Sequence, residues 1–290
     1  MKNLADIRAR IKSVSETRKI TGAMETISVA KMRKAMARFE SNRAYFSALR
    51  KVIADIAAHT NFITNKYLKN DFGSGNTLFV VIASDKGLAG GFNHNVLNLA
   101  YEKIRAAGKA TVACVGLVAH EFFDAKKIPV DIEFTFGSYE PTVRDAREIT
   151  KTVLNLYDSR MADEVYIVYT RLENSADMRP EVLRLLPLPA DEFAGGDEAY
   201  SEIEYEPSPE EVFEALIPQY ITGTVYGTLI QSCASEHCSR RAAMHNATEN
   251  AGEILDDLNT DFHRARQESV TGEIIDIATA AMGVGHEDRK

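Results

Sequence analysis

The sequence predicts an α/β fold in which a compact, largely parallel sheet domain is inserted between two long helices that pair antiparallel. Three observations predict it. All eight prolines fall between Pro129 and Pro218, so the first 128 residues and the last 72 lack proline, the residue that costs a helix interior about 3 kcal/mol. Both ends carry apolar residues at helical spacing. The stretch between them alternates short apolar runs with helical patterns, as a helix-covered sheet does.

The first helix is expected over residues 1–60. Leu4, Ile7, Ile11 and Val14 step by three and four, and Ile20, Met24 and Ile27 with Ala30 or Lys31 continue in a shifted frame. This reads as a coiled-coil seam with a stutter. The pattern runs on through Met32, Ala35, Phe39 and Phe46 to about Ala58, with Gly22 as its one interruption. At 1.5 Å per residue such a helix is roughly 80 Å long, too long to lie on one small domain.

The sheet domain is expected over residues 75–190. The runs at 78–84, 110–116, 130–136 and 164–170 read as strands, with a weaker one at 181–188; helical stretches at 93–107, 117–127 and 142–159 separate them. An acidic loop, 191–208, follows. Ser208, Pro209, Glu210 and Glu211 then form a good helix start: a serine cap, a proline in the first turn, and carboxylates at the positive end of the dipole. The last helix is expected over 209–284, on a stripe that includes Val225, Leu229, Ala243, Ala247, Ala251, Ile254, Leu258, Phe262, Ala265, Ile274 and Ile277, with glycines at 223, 227, 252 and 272 as weak points. Neither long helix can bury its stripe alone, so the two are expected to pack on one another, with Ala242, Ala243, Ala247 and Ala251 allowing close approach.

Charge is unevenly spread. The chain of 290 residues has a net charge of −8, yet residues 1–51 are rich in Lys and Arg, and residues 185–239 contain neither. No run of about 18 apolar residues and no signal-peptide core is present, so neither a membrane span nor secretion is indicated and the chain reads as intracellular. Three cysteines are an odd number for a disulfide framework. Cys233, His237 and Cys238 fit no common zinc spacing and read as a buried helical patch.

The loop from Ala83 to Asn93, ASDKGLAGGFN, is the one glycine-rich turn after a strand. It matches neither GxGxxG nor GxxxxGK[ST], and so reads as a structural turn; the rival reading is an α/β nucleotide-dependent enzyme. The scattered histidines suggest no acid/base or metal chemistry. The basic first helix could meet nucleic-acid phosphates, but its charges surround a seam that must be buried, and a solvated face or an acidic protein partner fits better. At the far end, Arg264, Arg266 and Gln267 precede Ile274 to Met282, which is apolar nearly all round and calls for enclosure by another subunit.

Four blocks carry a family resemblance: IRARIKSV with RKITGAMETISVAKMRKA near the start, SDKGLAGGFN in the middle, and SEHCSRRAAMHNATENAGEILDDL and RARQESVTGEIIDIATAA near the end. In these, and over essentially its full length, the chain resembles the γ subunits of F-type ATP synthases, most nearly the bacterial ones. The resemblance implies a Rossmann-like insert in an antiparallel coiled coil. It implies a noncatalytic central rotor that couples proton-driven rotation of the c-ring to conformational cycling of the catalytic β subunits, and the reverse in hydrolysis. The implied partners are the alternating hexamer of α and β subunits, the ε subunit and the c-ring, with no cofactor and no nucleic acid. The implied location is peripheral, at the cytoplasmic face of the cell membrane, with membrane association only through the complex.

By motif, the resemblance assigns Lys19, Thr21, Met24, Arg266, Gln267 and Thr271 to hexamer contact, and Ile274, Ile275, Ile277, Ala278, Ala281 and Met282 to an apolar bearing. It assigns Tyr205 and Glu206 to the foot that faces ε and the c-ring. One departure is visible. Gly22 stands where the family usually has lysine, which removes a charge and costs about 1 kcal/mol of helix stability relative to alanine.

Overall fold

The computed structural model describes residues 4–59, 66–68, 73, 75–174, 177–188 and 205–287, without the side chains of 57–59 and 279–287. Most of the expected acidic loop, residues 191–204, lies outside the described residues. The chain divides into two compact units, Met1–Ile27 with Arg241–Lys290, and Ser28–Arg240. The elements in order are α1 (Leu4–His59), β1 (Asn76–Ile82), α2 (Phe92–Ala106), β2 (Lys109–Val115), α3 (Leu117–Ala125), β3 (Ile132–Phe134), α4 (Val143–Asp158), β4 (Glu164–Asn174), β5 (Asp177–Leu186) and α5 (Pro209–Glu287).

In the larger unit the strands form one sheet in the order β3-β2-β1-β4-β5. The first four are parallel, and β5 pairs antiparallel with β4. β1 is buried on both faces, which is why it reads as a continuous apolar run. Leu78, Val80 and Ile82 meet Ile149 and Val153 of α4, Ile53 and Ile56 of α1, and Phe213, Ile217 and Ile221 of α5 in one core. Phe79 and Val81 point the other way, into a second core with Val96 and Leu97 of α2 and Ala119 and Phe123 of α3. The period-two alternation of a strand thus assigns each side chain to one of two helical layers. Complete burial of each large aliphatic side chain contributes about 1.5–3 kcal/mol.

Three strands differ from expectation in length. β3 has only three residues, because it is the outer strand of the sheet and pairs on one side. β5 begins at Asp177, four residues before the expected start, and β4 continues to Asn174 beyond the expected Thr170. Arg179, Pro180 and Arg184 hide the period of β5. Pro180, opposite Thr170, is tolerated because β5 is an edge strand.

The stutter expected in α1 is absent. The more buried positions run Ile7, Ile11, Val14, Thr21, Glu25, Ser28, Met32, Ala35, Phe39, Asn42, Phe46, Leu49, Ile53 and Ile56, an unbroken alternation of fours and threes once exposed Arg18 is counted at its place. Ile20 and Ile27, expected in the seam, are 61% and 55% exposed. The seam here passes through the polar side chains of Thr21, Glu25 and Ser28, which an apolar pattern skips. In α5, similarly, Leu255 is the more buried neighbour of Ile254.

The glycines do not break α5, and neither does Pro218, which lies inside it. Gly223 has a packing reason: a Cβ there would sit 2.0 Å from Cε1 of Phe46. In the smaller unit, α1 and α5 run antiparallel. Thr248 donates to Thr21 Oγ1 at 2.7 Å, His245 faces Glu25 at 3.2 Å, Gly252 lies against the Arg18 guanidinium, and Arg8 stacks over Phe262 at 5.4 Å. No helix among the described residues is long and apolar enough to cross a membrane.

Candidate interaction surfaces

In open α/β sheets, ligands sit beyond the carboxyl ends of the strands where the connections diverge, here between β1 and β4. The loop after β1 is stiffened from within. Ser84 N donates to Asn93 Oδ1 at 3.0 Å, the Ser84 hydroxyl donates to Lys86 O at 2.7 Å, and the Asp85 carboxylate accepts from the Leu117 and Ser138 amides at 3.3 and 2.8 Å. Gly116, at the start of α3, has φ 92°, and a Cβ there would lie 2.3 Å from Ala83 O.

That crevice is taken by α5. Arg240 Nη2 donates to Lys86 O and Gly87 O, both at 3.2 Å, Ser239 Oγ donates to Ala89 O at 2.6 Å, and Ser235 Oγ donates to Thr170 O at 3.1 Å. Arg240 Nη1 also bonds Glu236 Oε1 at 2.6 Å, with both side chains nearly buried. The loop therefore turns carbonyl oxygens toward a guanidinium, where a phosphate cradle would turn amides toward an anion.

Burial raises the Glu236 carboxyl above the usual carboxylate range, against the pull of Arg240. Burial, reinforced by Arg240, holds His237 down at about 4. Burial likewise pushes the Cys114 and Cys233 thiols up to about 12, the reverse of what a nucleophilic thiolate needs. Among the described residues no three or more His, Cys, Asp or Glu side chains are grouped to hold a metal.

The residues assigned to partner contact divide by exposure. Lys19, Arg266, Gln267 and Thr271 are exposed, and Met24 is half-buried. Thr21 is 8% exposed and bonded to Thr248, so its side chain faces α5. With Arg8 opposite Phe262, α5 runs on for more than twenty residues beyond that contact, roughly 30 Å or more. Leu4 and Ile7 border a cavity of about 630 Å³ with Asp261, Ala265, Gly272 and Asp276. On the same stretch of α5, Ile274, Ile275 and Ile277 are 61%, 58% and 70% exposed. Ala278 is also exposed, and Ala281 and Met282 belong to α5 with side chains outside the described residues. Tyr205 is half-buried and donates to Asp55 Oδ2 at 2.5 Å; burial, reinforced by the Asp55 carboxylate, pushes its hydroxyl up to about 12. Glu206 is exposed.

Residues 3–284 match the ATP synthase family whose curated relatives are γ chains. The chain belongs to the ATP synthase γ family. It is 38% identical to the ATP synthase gamma chain of Ruminiclostridium cellulolyticum over 96% of this chain and 98% of that one, and 40% identical to that of Caldanaerobacter subterraneus over 95% and 98%. Among solved structures, a chain of the Euglena gracilis mitochondrial ATP synthase (OSCP/F1/c-ring) aligns with a TM-score of 0.69 at 14% identity, over 99% of this chain and 96% of that one. A chain of the Tetrahymena thermophila central stalk and c-ring aligns with a TM-score of 0.58 at 23% identity, over 79% and 99%. As a γ-family member the chain is a noncatalytic central-stalk subunit. Sequence reasoning missed Ser235, Ser239 and Arg240 as the side chains that bond the carbonyls beyond β1 and β4. The signal was Arg240 standing as the first base after the basic-free run 185–239.

Proposed function

We propose that this γ-family chain couples rotation of a c-ring to conformational cycling of catalytic β subunits, with the paired helices of the smaller unit inside an α/β hexamer. The reverse occurs in hydrolysis. One observation carries the assignment of the contact end: three isoleucines, Ile274, Ile275 and Ile277, stand more than half exposed on the far end of α5, and apolar groups clustered on a surface mark an interface.

On this reading Ile274, Ile275, Ile277, Ala278, Ala281 and Met282 turn in an apolar bearing. Lys19, Met24, Arg266, Gln267 and Thr271 meet the hexamer's inner loops, and Thr21 holds the helix pair in register beneath them. Tyr205, tied to Asp55, orients the exposed Glu206 toward ε and the c-ring. The complex places the chain at the cytoplasmic face of the cell membrane. The driving ion is a proton on this reading, with sodium as the alternative, since a 35% identical relative in Acetobacterium woodii is named as sodium ion specific.

Affinity purification of the tagged chain from native membranes tests the reading. Co-purification of α, β and ε subunits with azide-sensitive ATPase activity is expected; recovery of the chain without them would overturn it. Deleting residues 274–290 should weaken coupling while the sheet domain stays folded, and unfolding of that domain on deletion would count against the division of roles.

A further inference from the structure

We propose that Glu236 and Arg240 form a clamp that fastens the sheet domain to α5 and carries torque between them. The inference rests on the coupling role proposed above. Ser235 and Glu236 precede Ser239 and Arg240 by three to five residues, so the four share one face of α5 within two turns of helix. Ser235, Ser239 and Arg240 donate to backbone oxygens of Thr170, Ala89, and Lys86 with Gly87, respectively, while Glu236 accepts from Arg240 and holds its guanidinium in place. Elsewhere in the larger unit α5 meets the sheet domain largely through apolar side chains such as Phe213, Ile217 and Ile221. Apolar contact is non-directional and resists sliding or twisting about the helix axis weakly. Hydrogen bonds to fixed carbonyls are directional and resist both.

The receiving loop is built to take load. Asp85 ties it to the amides of Leu117 and Ser138, and Asn93 ties it to Ser84, so a force on the Lys86 and Gly87 carbonyls passes into β1, α2 and α3. On the other side, α5 continues as helix to Glu287. Stability does not explain why the pair is charged, since well-packed apolar replacements of buried ion pairs are commonly neutral or stabilising. Both partners lie on α5, so the pair orients the Arg240 guanidinium, and the guanidinium's bonds to Lys86 O and Gly87 O fix α5 against the sheet domain.

The test uses complete ATP synthase assembled with the variant chain in sealed vesicles, at matched amounts of assembled complex. In the Glu236→Leu/Arg240→Met double variant, which keeps volume and removes the guanidinium's bonds to Lys86 O and Gly87 O while leaving those of Ser235 and Ser239, the chain should still unfold cooperatively and the complex should still assemble. Hydrolysis should stay within about twofold of the unsubstituted complex, while ion-driven ATP synthesis falls at least fivefold near the threshold driving force. Arg240→Lys, which keeps the charge but reaches fewer acceptors, should fall between. Unchanged synthesis in the double variant, or hydrolysis and synthesis falling together, would overturn the clamp. Failure of the unsubstituted chain to form an active ATPase would overturn the coupling role instead, and with it the clamp's load.

Discussion

Alanine at Gly22 and alanine at Gly223 should move stability in opposite directions, although both sites are helix interiors. In each, removing glycine gains about 1 kcal/mol of helix propensity. At Gly22 the new methyl meets nothing within 4 Å, so that gain is the whole effect. At Gly223 the methyl would lie 2.0 and 2.1 Å from Cε1 and Cδ1 of Phe46, and the ring must move. Overpacking of this kind costs about 1–3 kcal/mol, leaving a net loss of up to about 2 kcal/mol. At about 2–4 °C per kcal/mol for a domain of this size, Gly22→Ala should raise Tm by a few degrees and Gly223→Ala should lower it by up to about 8 °C. Thermal unfolding followed by calorimetry should show the two shifts with opposite sign. A Gly223→Ala chain stabilised as much as Gly22→Ala would refute the packing argument, and a Phe46→Leu background should relieve the cost if the ring is its source.

Ile53→Ala, at a side chain that is fully buried, should cost about 2–5 kcal/mol in chemical denaturation, whereas Ile27→Ala, at an exposed position, should change stability by less than about 0.5 kcal/mol; equal effects would restore the stuttered seam. His237, depressed to about 4 in the folded chain, stays neutral while the unfolded chain takes up a proton near pH 6.5. Its contribution is thus fully present above about 6.5 and is lost as pH falls toward 4, by about 3 kcal/mol. Glu236, with its raised pKa, acts in the opposite sense, so the measurement is the difference between the unsubstituted chain and His237→Phe. The variant should have the flatter acid limb in urea titrations, and parallel limbs would refute the assignment. The three cysteines are free and buried, so the native chain should resist a thiol reagent and release all three equivalents only on unfolding; rapid native labelling of Cys233 would place it on the surface.

Local signals made most of the elements legible. Proline placement and apolar period located α1, α5 and the buried strands, because both act within a few residues of the chain. The capping box at Thr142 and Asp145 marks the start of α4 just as locally. β5 was the faintest strand because an edge strand with one protected face tolerates Arg179, Pro180 and Arg184. The seam of α1 between Val14 and Ala35 was misread because Thr21, Glu25 and Ser28 occupy it, and polar side chains enter a seam only where a partner supplies hydrogen bonds.

By itself the sequence determined the types of the elements, their order, the resemblance to γ subunits and the apolar far end of α5. The tertiary structure alone decided which face of α1 is buried, why Gly223 must be small, and that α5 closes the crevice beyond β1 and β4. The physical reason is separation along the chain. Arg240 bonds a carbonyl 154 residues away, and Thr21 bonds a hydroxyl 227 residues away; no local period encodes such partners, because they meet only after the sheet and both helices have packed.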